Sequence, residues 1–577
     1  MSSLEELKAS GECSEWLTLE GLATLQDGYL INNETPKDMY LRVAKSAAKY
    51  LNRPELESKF FDYIWKGWLC LSTPVSSNSG SSRGLPISCF GAYCGDSVQD
   101  IFSLYTETAL LSKYGGGTSA CFNGLRERGT PISGGGVSDG IIPWLKNLEM
   151  VLHSVSQGGL RRGAGAQYLS IRSKDINEFI DLRKANGADI NRRCTTSSLH
   201  HAVCIDDEFM ESVIASPGPE RTLWEKLITT RVEKGEPYIF FTDTVQKADP
   251  AWYKDKGLST KASNLCSEIM LHSDTEHTFV CCLSSLNLAK YDEWKTTDLV
   301  QIATWFLDAI ITEFIEKASK IPGLEKAVRS AEKGRPLGLG VIGWHTLLQS
   351  KMIPFESYKA MQLNNEIWKL IDEESFKASQ DLAVLYGEPE WCRGWGIRNT
   401  HRLACAPTTS NALISGGVSQ GIEPIINNFY AHPTAKGTFI RRNPILHELI
   451  KTKGKDNFET WQKINDNEGS VAKLDFLSDE EKAVFSTAQE ISQMSIINQA
   501  AQRQVYIDQG QSLNIFVPKL VEPTEVEKRK LTKLVNRIHV EAWKKKIKAL
   551  YYLRSTAVKT GDSAFKEDLD ECKTCQG

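Results

Sequence analysis

An amide, a thiol and a carboxylate stand at alternate positions near the middle of the chain, in the segment Ser-Asn-Leu-Cys-Ser-Glu-Ile that runs from Ser263 to Ile269. In an extended segment alternate side chains share one face, so Asn264, Cys266 and Glu268 are predicted to project together into one pocket. The amide can orient a polar substrate, the sulfur can react, and the carboxylate can move a proton. The alternative for this heptapeptide alone is a surface strand with a chance cysteine.

Chain length and charge narrow the class of protein. At 577 residues, with ordinary hydrophobic and charged fractions, the sequence predicts a soluble globular protein with a large core. The formal net charge of −4 and the lack of a dominant basic tract argue against nucleic acid as a principal ligand. The polar N-terminus has no secretory signal, and no apolar run approaches membrane-spanning length. We therefore predict a cytoplasmic protein with neither a nucleic-acid nor a membrane partner.

The chain contains 14 cysteines, which in a cytosolic protein indicate thiols, catalytic pairs or metal ligands rather than a disulfide scaffold. The only Cys-x-x-Cys pair, Cys572 with Cys575, lies near the C-terminus without a second pair. A structural zinc site needs about four ligands. We therefore predict no metal site in this chain. The tail around the pair is acidic and polar and is predicted to be disordered.

The N-terminal region is predicted to be helical. Thr35 and Pro36 form a helix start, and an apolar stripe with i, i+4 spacing follows. The stripe consists of Met39, Val43, Ala47 and Leu51. After Leu71 the sequence becomes rich in serine, glycine and proline up to a short apolar segment at Cys89. We predict a loop there, which either approaches a ligand closely or is an ordinary connection.

Two further segments have the composition of anion-binding sites. Gln157 and Arg161 flank a glycine pair, and a guanidinium group recognises phosphates or base edges in a bidentate manner. Hydroxyl and amide groups cluster at Thr408, Thr409, Ser410 and Asn411. This cluster precedes a predicted helix, where it forms either a phosphate cradle or an ordinary cap. Asp96 likewise precedes a helix and could be its N-cap.

The stretch from Gly338 to Gly343 fits the Gly-x-Gly-x-x-Gly pattern of dinucleotide-binding proteins. That motif has to follow a buried strand, and the residues before it are charged and contain glycine and proline. We predict that the stretch is itself a strand. A NAD-dependent oxidoreductase is therefore a distant alternative.

Two adjacent residue pairs complete the pattern. Cys281 and Cys282 lie in an apolar, leucine-rich segment that predicts a buried strand, so their side chains point to opposite faces. Tyr551 and Tyr552 are typical of a strand with one ring buried and one exposed.

The segment Asn-Leu-Cys-Ser-Glu-Ile resembles the active-site finger loop of ribonucleotide reductase large subunits. Five further features occur in that family's order. They are the stretch from Thr73-Pro74 to Ser88-Cys89, the cysteine at 281, the hydroxyl cluster at 408–411, the tyrosine pair and the C-terminal dithiol. The tyrosine pair is specific to class I. The chain is therefore identified as similar to class I catalytic subunits.

The resemblance implies a role for each site residue. Cys266, Glu268 and Asn264 would be catalytic, with Cys89 and Cys281 as the reducing pair. Alignment on Leu283 and Asn287 selects Cys281 over Cys282. Tyr551 and Tyr552 would transfer the radical, and Cys572 and Cys575 would shuttle electrons from a reductant. The implied substrate contacts are Thr73, Ser88, Arg161, Thr408, Thr409, Ser410 and Asn411, and the implied effector contacts are Asp96, Arg126 and Gln157.

The fold implied by the family is a ten-stranded α/β barrel made of two parallel five-stranded halves, with the finger loop inside. Its predicted parts are a helical region at residues 1–69, the barrel at 70–558 and a flexible tail with the dithiol at 559–577. Too little chain precedes the barrel for an additional nucleotide-binding cone domain, so we expect no activity switch of that kind. Tight inhibition by dATP at residues 1–60 would contradict this.

The implied function is reduction of ribonucleoside diphosphates to deoxyribonucleotides. The radical would come from a separate metal-containing small subunit, since no cofactor is expected in this chain. Deoxynucleoside triphosphates or ATP would be the specificity effectors. Thioredoxin or glutaredoxin would be the reductant, and the chain would form a homodimer. An adenosylcobalamin-dependent reductase and a non-catalytic nucleotide-binding regulator stay open as alternatives.

Overall fold

The computed structural model describes residues 3–31, 33–157, 161–184, 192–434, 437–518, 520 and 523–556. Within these ranges, no helix is both long enough and apolar enough to cross a membrane.

In the described residues four α-helices precede the first strand: α1 (Leu4–Ala9), α2 (Leu19–Gln26), α3 (Pro36–Tyr50) and α4 (Glu57–Trp65). Thr35 caps α3 as predicted, because its hydroxyl accepts the Asp38 N–H and the Asp38 carboxylate accepts the Thr35 N–H. The predicted apolar stripe of α3 is buried. The expectation of a helical N-terminal region is confirmed.

Fifteen strands lie in the described part of the chain. They are β1 (Leu69–Leu71), β2 (Cys89–Tyr93), β3 (Gly117–Cys121), β4 (Ser156–Gln157), β5 (Arg161–Arg162), β6 (Gly165–Ser170), β7 (Leu199–Ile205), β8 (Tyr238–Phe241), β9 (Phe279–Asn287), β10 (Leu337–Ile342), β11 (Phe429–Thr434), β12 (Gly437–Arg442), β13 (Ile515–Pro518), β14 (Ala549–Leu550) and β15 (Leu553–Thr556).

Nineteen further α-helices connect and surround the described strands. They are α5 (Thr73–Asn78), α6 (Val98–Lys113), α7 (Ile142–Ser154), α8 (Ile176–Ile180), α9 (Asp207–Ala215), α10 (Pro219–Lys234), α11 (Thr242–Ala248), α12 (Ala251–Asp255), α13 (Tyr291–Trp294), α14 (Leu299–Ala318), α15 (Glu325–Gly334), α16 (Trp344–Ser350), α17 (Tyr358–Tyr386), α18 (Thr409–Ile414), α19 (Pro444–Thr452), α20 (Phe458–Asp466), α21 (Asp479–Val484), α22 (Gln493–Gln504) and α23 (Glu525–Lys544).

Five strands form a parallel run within a nine-stranded sheet. Their order is β2, β3, β6, β7 and β8, and each neighbouring pair is parallel. Parallel neighbours need long crossovers, and helices such as α6 and α10 lie in these connections. The α/β class is confirmed, and this run corresponds to one five-stranded half of the predicted barrel.

The other half is less regular. β9 is antiparallel to β1 and β2 and parallel to β10. Single parallel bridges then join Leu339 to Leu403 and Cys405 to Gln511. β13 pairs in parallel with β15, while β14 pairs with β8 in the first half. The sheet therefore curls back on itself, and the count of ten strands in two equal halves stays a prediction.

Two local expectations have different outcomes. The stretch predicted to be a serine- and glycine-rich loop contains α5, so the loop prediction is wrong for residues 73–78. Pro74 suits this helix because it lies in the first turn, where its missing N–H costs nothing. In contrast, β10 covers the Gly-x-Gly-x-x-Gly stretch up to Ile342, which confirms the predicted strand, and the last glycine, Gly343, is the N-cap of α16. A Cβ on Gly338 would lie 3.0 Å from the Cys281 sulfur, so this glycine lets β10 approach the thiol closely.

Candidate active site

The finger loop, residues 263–269, is a tight turn. The prediction of an extended segment, with alternate side chains on one face, is therefore wrong. Residues 265 and 266 form a turn, and Ser267 has a φ of +68°. The Asn264 carbonyl oxygen Oδ1 accepts the N–H groups of Glu268 (3.1 Å) and Ile269 (3.2 Å). Its amide Nδ2 donates to Glu268 Oε1 at 3.0 Å. The turn therefore brings the amide and the carboxylate together through side-chain capping instead of strand alternation.

Hydrogen bonds from both halves of the sheet hold this turn. The Tyr168 hydroxyl donates to the Asn264 carbonyl and the Ser119 hydroxyl to the Ser263 carbonyl, each at 2.7 Å. From the opposite side, the Gly510 N–H donates to the Glu268 carbonyl at 2.8 Å. The loop is thus fixed from two directions in the interior.

One pocket brings the predicted catalytic residues together. It is lined by Ser88, Cys89, Gly117, Asn264, Leu265, Cys266, Glu268, Leu283, Ala406 and Pro407. Within it, Asn264 Nδ2 lies 3.3 Å from the Cys89 sulfur, which is 4.0 Å from Glu268 Oε1. Ser88 Oγ lies 3.6 Å from the same sulfur. A thiol, an amide and a carboxyl group therefore face one space next to Cys266.

The second predicted reducing thiol lies directly across the sheet. Cys89 on β2 and Cys281 on β9 are opposite partners in an antiparallel ladder. Opposite residues in such a ladder have Cα atoms about 4.5–5.5 Å apart, which is within the range that a disulfide spans. Both thiols are free and buried. Cys281 packs with Cys89 in one buried cluster, whereas Cys282 belongs to the main core on the other face.

Burial controls the protonation of the pocket. It raises the pKa of Glu268 to about 7, against a backbone hydrogen bond and then hydrogen bonds from Asn264 and Ser512, which lower the pKa. Burial, followed by the nearby Glu268 carboxylate, raises the pKa of Cys89 well above its ordinary value. Burial raises the pKa of Cys281 in the same direction. Near pH 7 the two thiols are therefore protonated, while Glu268 can both accept and release a proton.

Both rings of the tyrosine pair are buried, whereas one buried and one exposed ring was predicted. The ring centroids of Tyr551 and Tyr552 are 4.3 Å apart. Tyr238 packs against both rings, at 4.8 and 5.0 Å. Cys266 belongs to the same buried cluster as these three rings. A continuous aromatic cluster therefore leads to the finger-loop cysteine.

The predicted phosphate cradle borders the pocket, because it follows Ala406 and Pro407 of the pocket lining. Thr409, Ser410 and Asn411 begin α18. The Thr408 hydroxyl accepts the Gly421 N–H at 2.8 Å, and the Thr409 hydroxyl donates to Gln420 at 2.9 Å. Thr73 lies at the start of α5, where its hydroxyl forms a 2.7 Å hydrogen bond with that of Tyr29.

Asp96 and Arg126 lie together at the surface, outside the pocket. The Arg126 guanidinium donates to both Asp96 carboxylate oxygens at 3.0 Å. Asp96 is not the N-cap of α6, because Ser97 takes that position. Gln157 and Arg161 are backbone partners in the β4–β5 hairpin. Cys572 and Cys575 lie outside the described residues.

Known proteins match this chain over most of its length. The description "Ribonucleotide reductase, barrel domain" matches residues 87–218, 215–393 and 389–553, and "Ribonucleotide reductase, all-alpha domain" matches residues 15–84. The chain belongs to the ribonucleotide reductase family. The family indicated by the sequence motifs is thus confirmed.

Individual relatives specify the subunit. A provisionally named ribonucleoside-diphosphate reductase large subunit of Frog virus 3 is 38% identical, covering 92% of this chain and 94% of its own. The ribonucleoside-diphosphate reductase large subunit of Invertebrate iridescent virus 3 is 32% identical, with 96% and 98% covered. The solved class Id ribonucleotide reductase alpha subunit of Actinobacillus ureae has a TM-score of 0.86 at 42% identity, covering 94% of this chain and 98% of that one. These relatives favour the class I large subunit over the cobalamin-dependent alternative.

Two side chains that contact residues of the ribonucleotide reductase site were not predicted from the sequence. The Gln509 amide lies 3.7 Å from the Cys281 sulfur, and its oxygen accepts the Met270 N–H at 3.3 Å. The Ser512 hydroxyl contacts Glu268 and the Cys266 carbonyl. Both lie in a polar segment that has no motif typical of catalysis, so only the fold identifies them.

Proposed function

We propose that this chain is the catalytic subunit of a class I ribonucleoside-diphosphate reductase, which makes 2′-deoxyribonucleotides for DNA synthesis. The observation that carries the proposal is the pocket in which Asn264, Glu268 and Cys89 are in mutual contact beside Cys266. A carboxyl group, an amide and three buried thiols in one interior are the groups that a radical reduction of this kind uses.

In the proposed reaction a thiyl radical on Cys266 abstracts the 3′ hydrogen of the ribose. Glu268 accepts the 3′-hydroxyl proton while Asn264 holds the sugar. The 2′-hydroxyl then leaves as water with a proton from the reducing pair. One thiol of the reducing pair supplies that proton, and the other gives a hydrogen atom to C2′. Cys89 and Cys281 then join as a disulfide and pass the remaining electron to the 3′ carbonyl, whose oxygen takes its proton back from Glu268. Cys266 finally returns its hydrogen to C3′, which restores the thiyl radical. The buried site keeps bulk water from quenching the radical.

The register of β2 and β9 leads to a prediction about the disulfide. Without an external reductant, and with Cys572 and Cys575 both changed to serine, each active chain is expected to convert about one CDP, because one dithiol supplies two electrons. Mass spectrometry of alkylated peptides should then find Cys89 linked to Cys281. Cys282→Ser is the matched control, since its thiol lies on the opposite face. A disulfide to Cys282 would contradict the assignment.

The protonation of Glu268 leads to a prediction about pH. Only the carboxylate accepts a proton, so kcat/KM for CDP is expected to rise with pH through the Glu268 pKa of about 7. Glu268→Gln should remove this acid limb and lower kcat roughly 10²–10⁴-fold. The matched control is Glu107→Gln, because burial raises the pKa of Glu107 to about 7 as well, at a site bonded to Thr278. If Glu107→Gln rather than Glu268→Gln removed the acid limb of the pH profile, Glu268 would not be the base.

The remaining assignments belong to the same proposal. A separate metal-containing small subunit supplies the radical, which reaches Cys266 through Tyr552 and Tyr551. Ser88 and Thr73 contact the substrate, Arg161 reaches its base, and residues 408–411 hold its phosphates. Asp96, Arg126 and Gln157 bind the effector nucleotide in a homodimer. Cys572 and Cys575 re-reduce the active-site disulfide and receive electrons from thioredoxin or glutaredoxin.

The test is conversion of CDP to dCDP with dithiothreitol and an effector nucleotide. Parallel reactions contain a matched radical-generating small subunit, adenosylcobalamin, or neither. Product is expected only with the small subunit. Product with adenosylcobalamin alone would contradict the assignment of a small-subunit partner and of radical transfer through the tyrosines. No product in any reaction would indicate a nucleotide-binding regulator.

A further inference from the structure

The Ser512 hydroxyl sits between the two reactive parts of the finger loop. Its Oγ lies 2.6 Å from the Cys266 carbonyl oxygen and 3.0 Å from Glu268 Oε2, and the side chain is buried. Its own backbone is fixed, because the Ser512 N–H donates to the Cys405 carbonyl at 2.8 Å. The hydroxyl is therefore held in place by the barrel rather than by the loop that it contacts.

A hydroxyl has one hydrogen to donate, yet Ser512 faces two acceptors. When Glu268 is ionised, the two oxygens compete for this hydrogen. When Glu268 is protonated, its own O–H can donate to Ser512 Oγ, and the serine hydrogen is then free for the Cys266 carbonyl. Each protonation state of Glu268 thus has its own hydrogen-bond pattern at Ser512.

We propose that Ser512 is a positioning residue that sets the proton affinity of Glu268 and couples it to the backbone of Cys266. This inference rests on the proposed function, in which Glu268 is the base. A donor at Oε2 stabilises the carboxylate, so it favours the form that accepts the 3′-hydroxyl proton.

The other titratable groups that face Glu268 do not perform this task. Besides the Cys266 thiol, which lines the same pocket, they are the Cys89, Cys281 and Cys405 thiols and the Tyr168 phenol. Burial raises the pKa of each, so all four are neutral near pH 7. The carboxylate therefore depends on its hydrogen-bond donors. Asn264 donates at Oε1, with the Cys89 thiol 4.0 Å from the same oxygen, and Ser512 is the side chain at Oε2.

The same segment continues to the tyrosine pair. The Tyr551 N–H donates to the Leu513 carbonyl at 3.0 Å, and the Tyr552 N–H donates to Asn514 Oδ1 at 3.2 Å. Ser512 thus directly precedes the two residues that bond to the backbone of the tyrosine pair. Its own side chain contacts Glu268 and the Cys266 carbonyl.

The test compares pH profiles of kcat/KM for CDP in Ser512→Ala and Ser512→Thr. The alanine variant is expected to move the acid limb about one unit to higher pH, because a hydrogen bond to a charged group shifts a pKa by roughly that amount. The threonine variant keeps a hydroxyl and should retain the wild-type limb. The matched control is Ser119→Ala, which removes a buried hydroxyl bonded to the same loop at Ser263. An unmoved limb in Ser512→Ala, or an equal movement in Ser119→Ala, would overturn the proposal.

A second measurement separates this inference from the proposed function. Infrared titration of the protonated carboxyl band, assigned by its loss in Glu268→Gln, reports the Glu268 pKa without turnover. Ser512→Cys, which keeps a weak donor of similar size, provides a folded variant if the alanine variant does not fold. A raised pKa in either variant supports the role of Ser512 even if CDP is not reduced. An unchanged pKa refutes that role even if CDP is reduced.

Discussion

Replacing Cys266 by serine is expected to abolish CDP reduction while the chain still folds and binds nucleotides. Serine fits the buried turn, but its O–H bond is too strong to give up a hydrogen atom to a tyrosyl radical, so no thiyl radical forms. Loss of the group that starts the reaction should lower turnover by at least about 10⁴-fold. The measurement is dCDP formation with the small subunit, alongside the thermal melting temperature and effector binding.

The matched control for this prediction is Cys204→Ser. Cys204 belongs to the same buried apolar cluster as Cys266. Its sulfur contacts the Lys261 carbonyl at 3.9 Å rather than the pocket lining. The control variant is expected to keep its turnover, at some cost in stability. Full activity in Cys266→Ser would exclude thiyl chemistry at this residue, and inactivity of both variants would point to a damaged core.

Features set by local sequence could be predicted. Thr35 and Pro36 define the start of α3 through a cap and a fixed φ, which need only neighbouring residues. The stretch at Gly338 was predicted to be a strand because the charged residues directly before it do not have the pattern of the buried strand that a dinucleotide-binding motif would require. The alternation of side chains along β9 predicted that Cys281 and Cys282 point to opposite faces. In each of these cases one periodicity or one capping rule determines the result.

For the finger loop, the prediction that Asn264, Cys266 and Glu268 face one pocket is confirmed, but the predicted extended backbone is wrong. Alternate spacing suggested an extended segment, but the Asn264 side chain accepts two N–H groups ahead of it and closes a turn. Ser512 could not be predicted at all, because its contact with Glu268 joins residues 244 positions apart. Such a contact depends on how the second half of the sheet closes, which no local pattern specifies.

Removing the hydroxyl of either Tyr551 or Tyr552 is expected to abolish turnover as completely as Cys266→Ser. Radical transfer along tyrosines requires each ring to lose a phenolic hydrogen in turn, and phenylalanine has none. The rings are 4.3 Å apart between centroids and are buried together with Cys266, so Tyr→Phe keeps the ring packing and removes the redox-active hydroxyl. At Tyr552 it also removes the 3.4 Å hydrogen bond to His200 Nδ1. The measurement is dCDP formation with the small subunit.

Tyr238→Phe is the matched control, and it makes this prediction specific to the route. Its ring packs against both members of the pair, so the substitution disturbs the same cluster without removing a phenol from the proposed path. Tyr551→Phe and Tyr552→Phe should be inactive and the control active. Activity of both pair variants with adenosylcobalamin would place radical formation at the pocket itself. Activity of both variants with the small subunit would mean that the radical reaches Cys266 by another route. Each substitution blocks one step of the proposed route, and a route with a blocked step allows no turnover.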